Sequence, residues 1–131
     1  MKGVKPEMRE DPEAVAVLDP PAWMGADARE EWARVMPILA ARRILSAADL
    51  GGLENYCIAI GTAREAERII QAHGLVTETE TGLKRNPAVG IQSEAIKTAR
   101  LIGAEMGLTP VSRSRPAIRD DEDDDDPLDF S

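Results

Sequence analysis

The stretch from Ser46 to Gly74 constrains the fold of this chain more than any other feature. Leu50, Leu53, Tyr56, Cys57, Ile60, Ala63, Ile69 and Ile70 recur at spacings of three or four, which places them on one face of a helix. Ser46 is positioned to cap that helix, with Asp49 three residues later, and Gly74 supplies a stop. From Ala47 to Ala72 is 26 residues, about 39 Å at a rise of 1.5 Å each. A helix this long in a chain of 131 residues needs a partner along its length, in the same chain or in a neighbouring copy. Gly51, Gly52 and Gly61 weaken its intrinsic propensity and are expected to mark close helix contacts.

Two shorter helices flank it. The first is expected to begin at Asp27 as cap, with Glu30 completing a capping box. Ala28, Trp32, Val35, Met36 and Leu39 form its apolar face. Pro37 interrupts this pattern and is expected to kink the helix or convert its last turn, because it has no backbone N–H. Trp23, just upstream, is expected to fold over the helix as a lid. Beyond Gly74, the β-branched Val76, Thr77, Thr79 and Thr81 alternate with Glu78 and Glu80 ahead of Gly82, a short hairpin or extended excursion. Asn86 then caps a third helix, Pro87 takes its first turn, and Gly107 ends it. Its apolar face reads Ala88, Ile91, Ala95, Ala99, Ile102 and Met106. Aromatic residues are only 3% of the chain, so the core must be built from Ala, Leu, Ile, Val and Met. The expected fold is mainly α, a three-helix core with a long central helix, a short hairpin or extended excursion, and disordered termini. Three regions follow: a flexible, proline-rich basic arm over 1–22, a helical domain over 23–116, and an acidic disordered tail over 117–131.

The formal net charge of −8 is unevenly distributed. Residues 120–131 contain eight acids and no base. Residues 84–119 contain seven bases (Lys84, Arg85, Lys97, Arg100, Arg113, Arg115 and Arg119) against Glu94 and Glu105, a net +5. An acidic whole chain therefore does not exclude a body that binds nucleic acid.

The chemistry-bearing patterns of enzymes are absent from the sequence. No GxxxxGK[ST] loop is present to cradle a nucleotide, and no GxGxxG follows a strand. His73 is the only histidine and Cys57 the only cysteine. Neither has the partners a metal site needs, and no metal or cofactor is expected. Cys57 falls on an apolar helix face and reads as a small core hydrophobe. His73 sits near a helix end, where a cation is favoured by the carbonyl dipoles. No membrane span or secretory signal is expected. The residues alone point to a non-catalytic helical binding or assembly protein.

The order of motifs adds to this. Met1-Lys2-Gly3-Val4-Lys5-Pro6 opens the chain, followed by Pro20-Pro21-Ala22-Trp23 and Glu31-Trp32. Leu45-Ser46-Ala47-Ala48-Asp49 enters the long helix, which carries Asn55-Tyr56-Cys57. Then come His73-Gly74-Leu75-Val76, Gly82, Asn86-Pro87-Ala88, and Met106-Gly107-Leu108-Thr109-Pro110-Val111-Ser112-Arg113-Ser114-Arg115. Together, over roughly residues 20–116, this resembles the small terminase subunits of tailed bacteriophages and prophages. The resemblance implies a DNA-packaging adaptor that forms a homo-oligomeric ring, binds viral double-stranded DNA and presents it to the large terminase subunit, which carries the ATPase and nuclease. It also implies the host bacterial cytoplasm as the place of action. The acidic tail is not among the motifs that carry the resemblance.

The candidate DNA-contacting residues are Lys84, Arg85, Arg113 and Arg115, with Lys2, Lys5, Arg42 and Arg43. Each has a plainer reading: Arg42 and Arg43 complement the dipole at the end of the first helix, and Lys97 and Arg100 belong to the solvated face of the third. Asp123, Asp124, Asp125, Asp126, Leu128 and Phe130 are candidates for docking on a partner, or simply a solvated tail. The alternative function is a protein-only phage assembly adaptor acting through that tail.

Overall fold

The computed structural model describes residues 16–43 and 45–109. The candidates Lys2, Lys5, Arg113, Arg115, Asp123, Asp124, Asp125, Asp126, Leu128 and Phe130, and most of both terminal regions, lie outside the described residues.

Among the described residues, three helices and a two-stranded hairpin form the fold. The elements are α1 (Ala26–Arg42), α2 (Leu50–His73), β1 (Val76–Thr79), β2 (Gly82–Arg85) and α3 (Pro87–Glu105). A short 3₁₀ turn over Ala47–Asp49 leads into α2. The predicted cap is present there: the Ser46 N–H donates to Asp49 Oδ2 at 2.9 Å, and the Ser46 side chain answers it.

α2 is the central element, and both other helices pack on it. α1 runs antiparallel to it, since Asp27 meets Arg68 and Glu31 meets Arg64. α3 is antiparallel on another side, with Gln92 against Glu67 and Gly103 against Tyr56. The core lies between α1 and α2: Met24, Trp32, Val35, Met36, Leu39, Leu45, Leu53, Tyr56 and Cys57 are all buried there. The α2–α3 contact is made largely of small residues, with Ala59, Ala66, Ala88, Ala95, Ala99 and Gly103 buried. Small side chains let two helix axes approach closely, so α3 is held by backbone proximity more than by large apolar side chains.

Several expectations are corrected. α1 begins at Ala26 with Gly25 as cap and no side-chain cap; Asp27 lies in the first turn and binds Arg68 instead. The last turn of α1 after Pro37 remains α-helical to Arg42, with Pro37 at an exposed position. Trp23 is 64% exposed, whereas its neighbour Met24 is buried in the core. The segment before α1 is tied down all the same, as Trp32 Nε1–H donates to the Leu18 carbonyl at 2.8 Å and Arg29 donates to the Pro21 carbonyl at 2.9 Å. Ile69 and Ile91 fall outside the buried faces predicted for them and are exposed. Of the three glycines on α2, only Gly61 marks a close contact: a Cβ there would stand 3.1 Å from the Ala28 backbone nitrogen, whereas Gly51 and Gly52 face open space.

The excursion after α2 is a hairpin. β1 and β2 pair antiparallel, with Val76 opposite Arg85 and Thr79 opposite Gly82. Asn86 fixes it to the helices. Its Nδ2 donates to the Gly74 carbonyl at 2.8 Å, its backbone N–H donates to the Leu75 carbonyl at 2.8 Å, and its Oδ1 accepts the Ala88 N–H at 2.9 Å. One buried side chain thus closes the base of the hairpin and caps α3. At the other end of α3, Gly107 turns the chain with φ 73° and the Leu108 N–H returns to the Gly103 carbonyl at 2.8 Å.

Candidate nucleic-acid interface

The arginines of α1 and α2 are largely committed to partners within the fold. Glu31, 1% exposed, is the centre of this arrangement. Arg34 reaches it through two nitrogens, Nε to Oε1 at 2.9 Å and Nη2 to Oε2 at 2.6 Å. The Tyr56 hydroxyl donates to Oε2 at 2.6 Å, and Arg64 Nη2 to Oε1 at 3.2 Å. Burial opposes ionisation of Glu31, but the hydrogen bonds of Arg34 and Tyr56 and the nearby guanidinium charges outweigh it and hold the carboxyl below its ordinary value. The same burial, reinforced by the hydrogen bond to Glu31, pushes the Tyr56 hydroxyl up to about 12. Cys57 is buried beside them, and burial raises its thiol to about 12, the state of an inert core residue. Both Glu31 oxygens are occupied by donors of the chain itself, so the cluster acts as a joint between α1 and α2. Arg68 pairs with Asp27 at the far end of the same interface.

Arg42 is also engaged. Its Nη1 donates to the Gly107 carbonyl at 2.7 Å and joins the end of α1 to the end of α3. Arg43, with φ 57°, closes α1 in a left-handed conformation, and its backbone N–H donates to the carbonyls of Leu39 and Ala40. The structure thus gives this candidate pair a part in the helix ends.

The hairpin and α3 differ. Among the described residues, Lys84, Arg85, Lys97 and Arg100 form no ion pair with a carboxylate, and all four are exposed. The Arg85 guanidinium lies against α3, with Nη2 only 3.0 Å from where a Gly90 Cβ would stand. Gly90 and Lys97 are seven residues apart, two turns, so they share a face of α3, and Arg100 follows one turn later. That face points away from the buried Ala88, Ala95 and Ala99. The missing side chain at Gly90 allows Arg85 to lie over the helix and join the row. Arg85, Lys97 and Arg100 therefore form a cationic strip along the outside of α3, with Glu94 one turn before Lys97 and Lys84 on the opposite face of β2. The sequence alone singles out Lys84 and Arg85 and assigns Lys97 and Arg100 to a solvated face. The i, i+3 spacing of the latter two is visible in it, but the approach of Arg85 to that face is not.

Among the described residues, no helix is long and apolar enough to cross a membrane, and no group of three His, Cys, Asp or Glu side chains is placed to hold a metal ion. No curated protein and no solved structure matches the chain. A family model described as phage terminase, small subunit, matches residues 28–123. The match covers all of α2, the hairpin and α3, nearly all of α1, and the first acids of the C-terminal run. A chain matched over that span, with the helical order and the Asn86-Pro87 helix start that suggested the resemblance, belongs to the phage terminase small subunit family.

Proposed function

We propose that the chain is a non-catalytic adaptor of phage DNA packaging, which assembles into a ring, binds viral double-stranded DNA and presents it to the large ATPase–nuclease subunit in the host cytoplasm. Family membership supports the packaging role. The observation that carries the DNA-binding part is the partition of cations: those of α1 and α2 are consumed by Glu31, Asp27 and backbone carbonyls, while Lys84, Arg85, Lys97 and Arg100 are left exposed for phosphates. Assembly is supported by apolar side chains that the monomer leaves uncovered. Ile58 and Ile69 are exposed and lie eleven residues apart, three turns, on one face of α2, and Leu75, Val76 and Leu83 are exposed at the hairpin.

The test is a mobility-shift titration of the full chain with duplex DNA over a salt series. Binding is expected to weaken as salt rises. Arg85→Glu combined with Lys97→Glu is expected to flatten the log–log slope by about 0.9 for each phosphate no longer neutralised. Salt-independent binding, or none, would reject the DNA role and favour a protein-only assembly adaptor.

A further inference from the structure

We infer that the acidic segment at residues 120–129 docks on the cationic strip of its own chain, formed by Arg85, Lys97 and Arg100, and competes there with nucleic acid. The docking rests on charge and reach; the competition rests on the DNA-binding reading above.

The two parties are complementary. Residues 84–119 carry a net +5, and residues 120–131 carry eight acids and no base. The strip has no carboxylate paired to it among the described residues, so it offers the tail the same unneutralised cations that it offers a phosphate backbone. Geometry permits the encounter. From Thr109, the last described residue, to Asp120 is eleven residues, a reach of up to about 36 Å. α3, at 19 residues, is about 28 Å long. Arg100 and Lys97 lie within the last two or three turns before that end, and Arg85 lies just beyond the start of the helix. The first acid can therefore reach every member of the strip. Tethering makes the encounter intramolecular, with an effective concentration on the order of millimolar, and salt weakens the tail contact and the DNA contact together.

The experiment compares the natural full chain with a full chain whose eight acids in 120–131 are changed to their amides, Asp→Asn and Glu→Gln. Two readouts are taken. The first is zero-length carbodiimide coupling without DNA, mapped by mass spectrometry on a mixture of isotope-labelled and unlabelled chains. Intrachain links from the acids to Lys97 are expected, absent from the amide chain and abolished at high salt. The second is affinity for duplex DNA, expected to be about tenfold tighter for the amide chain at low salt, with the difference closing as salt rises. Absence of links to Lys97, as when the acids pair only with Arg113, Arg115 and Arg119, overturns the docking. Links found only between labelled and unlabelled chains overturn it as well, because the occupant is then a second copy. Equal DNA affinity of the two chains overturns the competition. If neither chain binds DNA at any salt, the DNA-binding reading and the competition fall together, and the cross-links alone decide the docking.

Discussion

Glu31 is the residue on which the α1–α2 contact turns. A buried carboxylate is costly unless its oxygens are satisfied, and here Arg34, Tyr56 and Arg64 satisfy them. Glu31→Ala leaves the buried Tyr56 hydroxyl without its acceptor and removes the carboxylate that Arg34 and Arg64 share. The expected loss is about 2–4 kcal/mol, read as a lower midpoint in urea unfolding. Tyr56→Phe removes one donor and leaves Arg34 in place, so about 1–2 kcal/mol is expected. The cluster also sets a pH dependence. Folding holds the Glu31 carboxyl below its ordinary value of about 4.5, so its stabilisation is fully present above that value and is lost as pH falls through the folded value. Asp27, bonded to Arg68, and Glu67, bonded to Gln92 and Gln71, are shifted in the same direction. Acid unfolding monitored by circular dichroism should therefore be shallower below about pH 4.5 in Glu31→Gln than in the natural chain; identical profiles would remove Glu31 from the account. The sequence discloses a polar pattern at these positions but not this role. Glu30 has the spacing of a cap partner, and nothing local distinguishes Glu31 as the buried one until α2 brings Tyr56 against it.

At the scale of elements, α2 and its two neighbours are joined in different ways. α1 is attached by large apolar side chains and the Glu31 joint, α3 by small residues that bring the backbones together. Glycines on α2 consequently have opposite values. Gly61→Ala places a methyl 3.1 Å from the Ala28 backbone nitrogen and is expected to cost about 1–3 kcal/mol despite the better helix propensity of alanine. Gly52→Ala adds its methyl in open space and is expected to stabilise by roughly 0.5 kcal/mol. Thermal unfolding of the two variants checks both signs, and a stabilising Gly61→Ala would mean that the helices can separate at no cost. Asn86 is the corresponding joint for the hairpin. Asn86→Ala removes the cap of α3 and the tie to Gly74, with an expected loss of about 1–2 kcal/mol and faster amide exchange across β1 and β2.

Considered as a whole, the molecule separates its charges by role. Internal ion pairs hold α1 to α2, while Lys84, Arg85, Lys97 and Arg100, which form no ion pair among the described residues, lie on the other side of α2, on β2 and α3. Its exposed apolar residues are also patterned, with Ile58 and Ile69 aligned on α2. For the proposed assembly, Ile58→Asp with Ile69→Asp is expected to lower the mass measured by light scattering while helical content is retained, because the substitutions add charge to the face proposed to meet a neighbouring copy and leave the monomer core alone. A monomeric mass for the natural chain would reject the proposed assembly, and an assembly of unchanged mass in the variant would move the proposed contact to Leu75, Val76 and Leu83 of the hairpin region.

The helices, the long central element, the Ser46–Asp49 and Asn86–Pro87 starts, the hairpin and the family were all accessible from the order of residues, because periodicity and capping act over a few positions. Tertiary packing settled other matters. It buried Met24 and left Trp23 outside, made Glu31 a joint, gave Arg42 to the Gly107 carbonyl, and laid Arg85 across Gly90 to complete a strip with Lys97 and Arg100. Each of these depends on which residues from distant parts of the chain meet, and helical spacing carries no information about how two helices are set against each other.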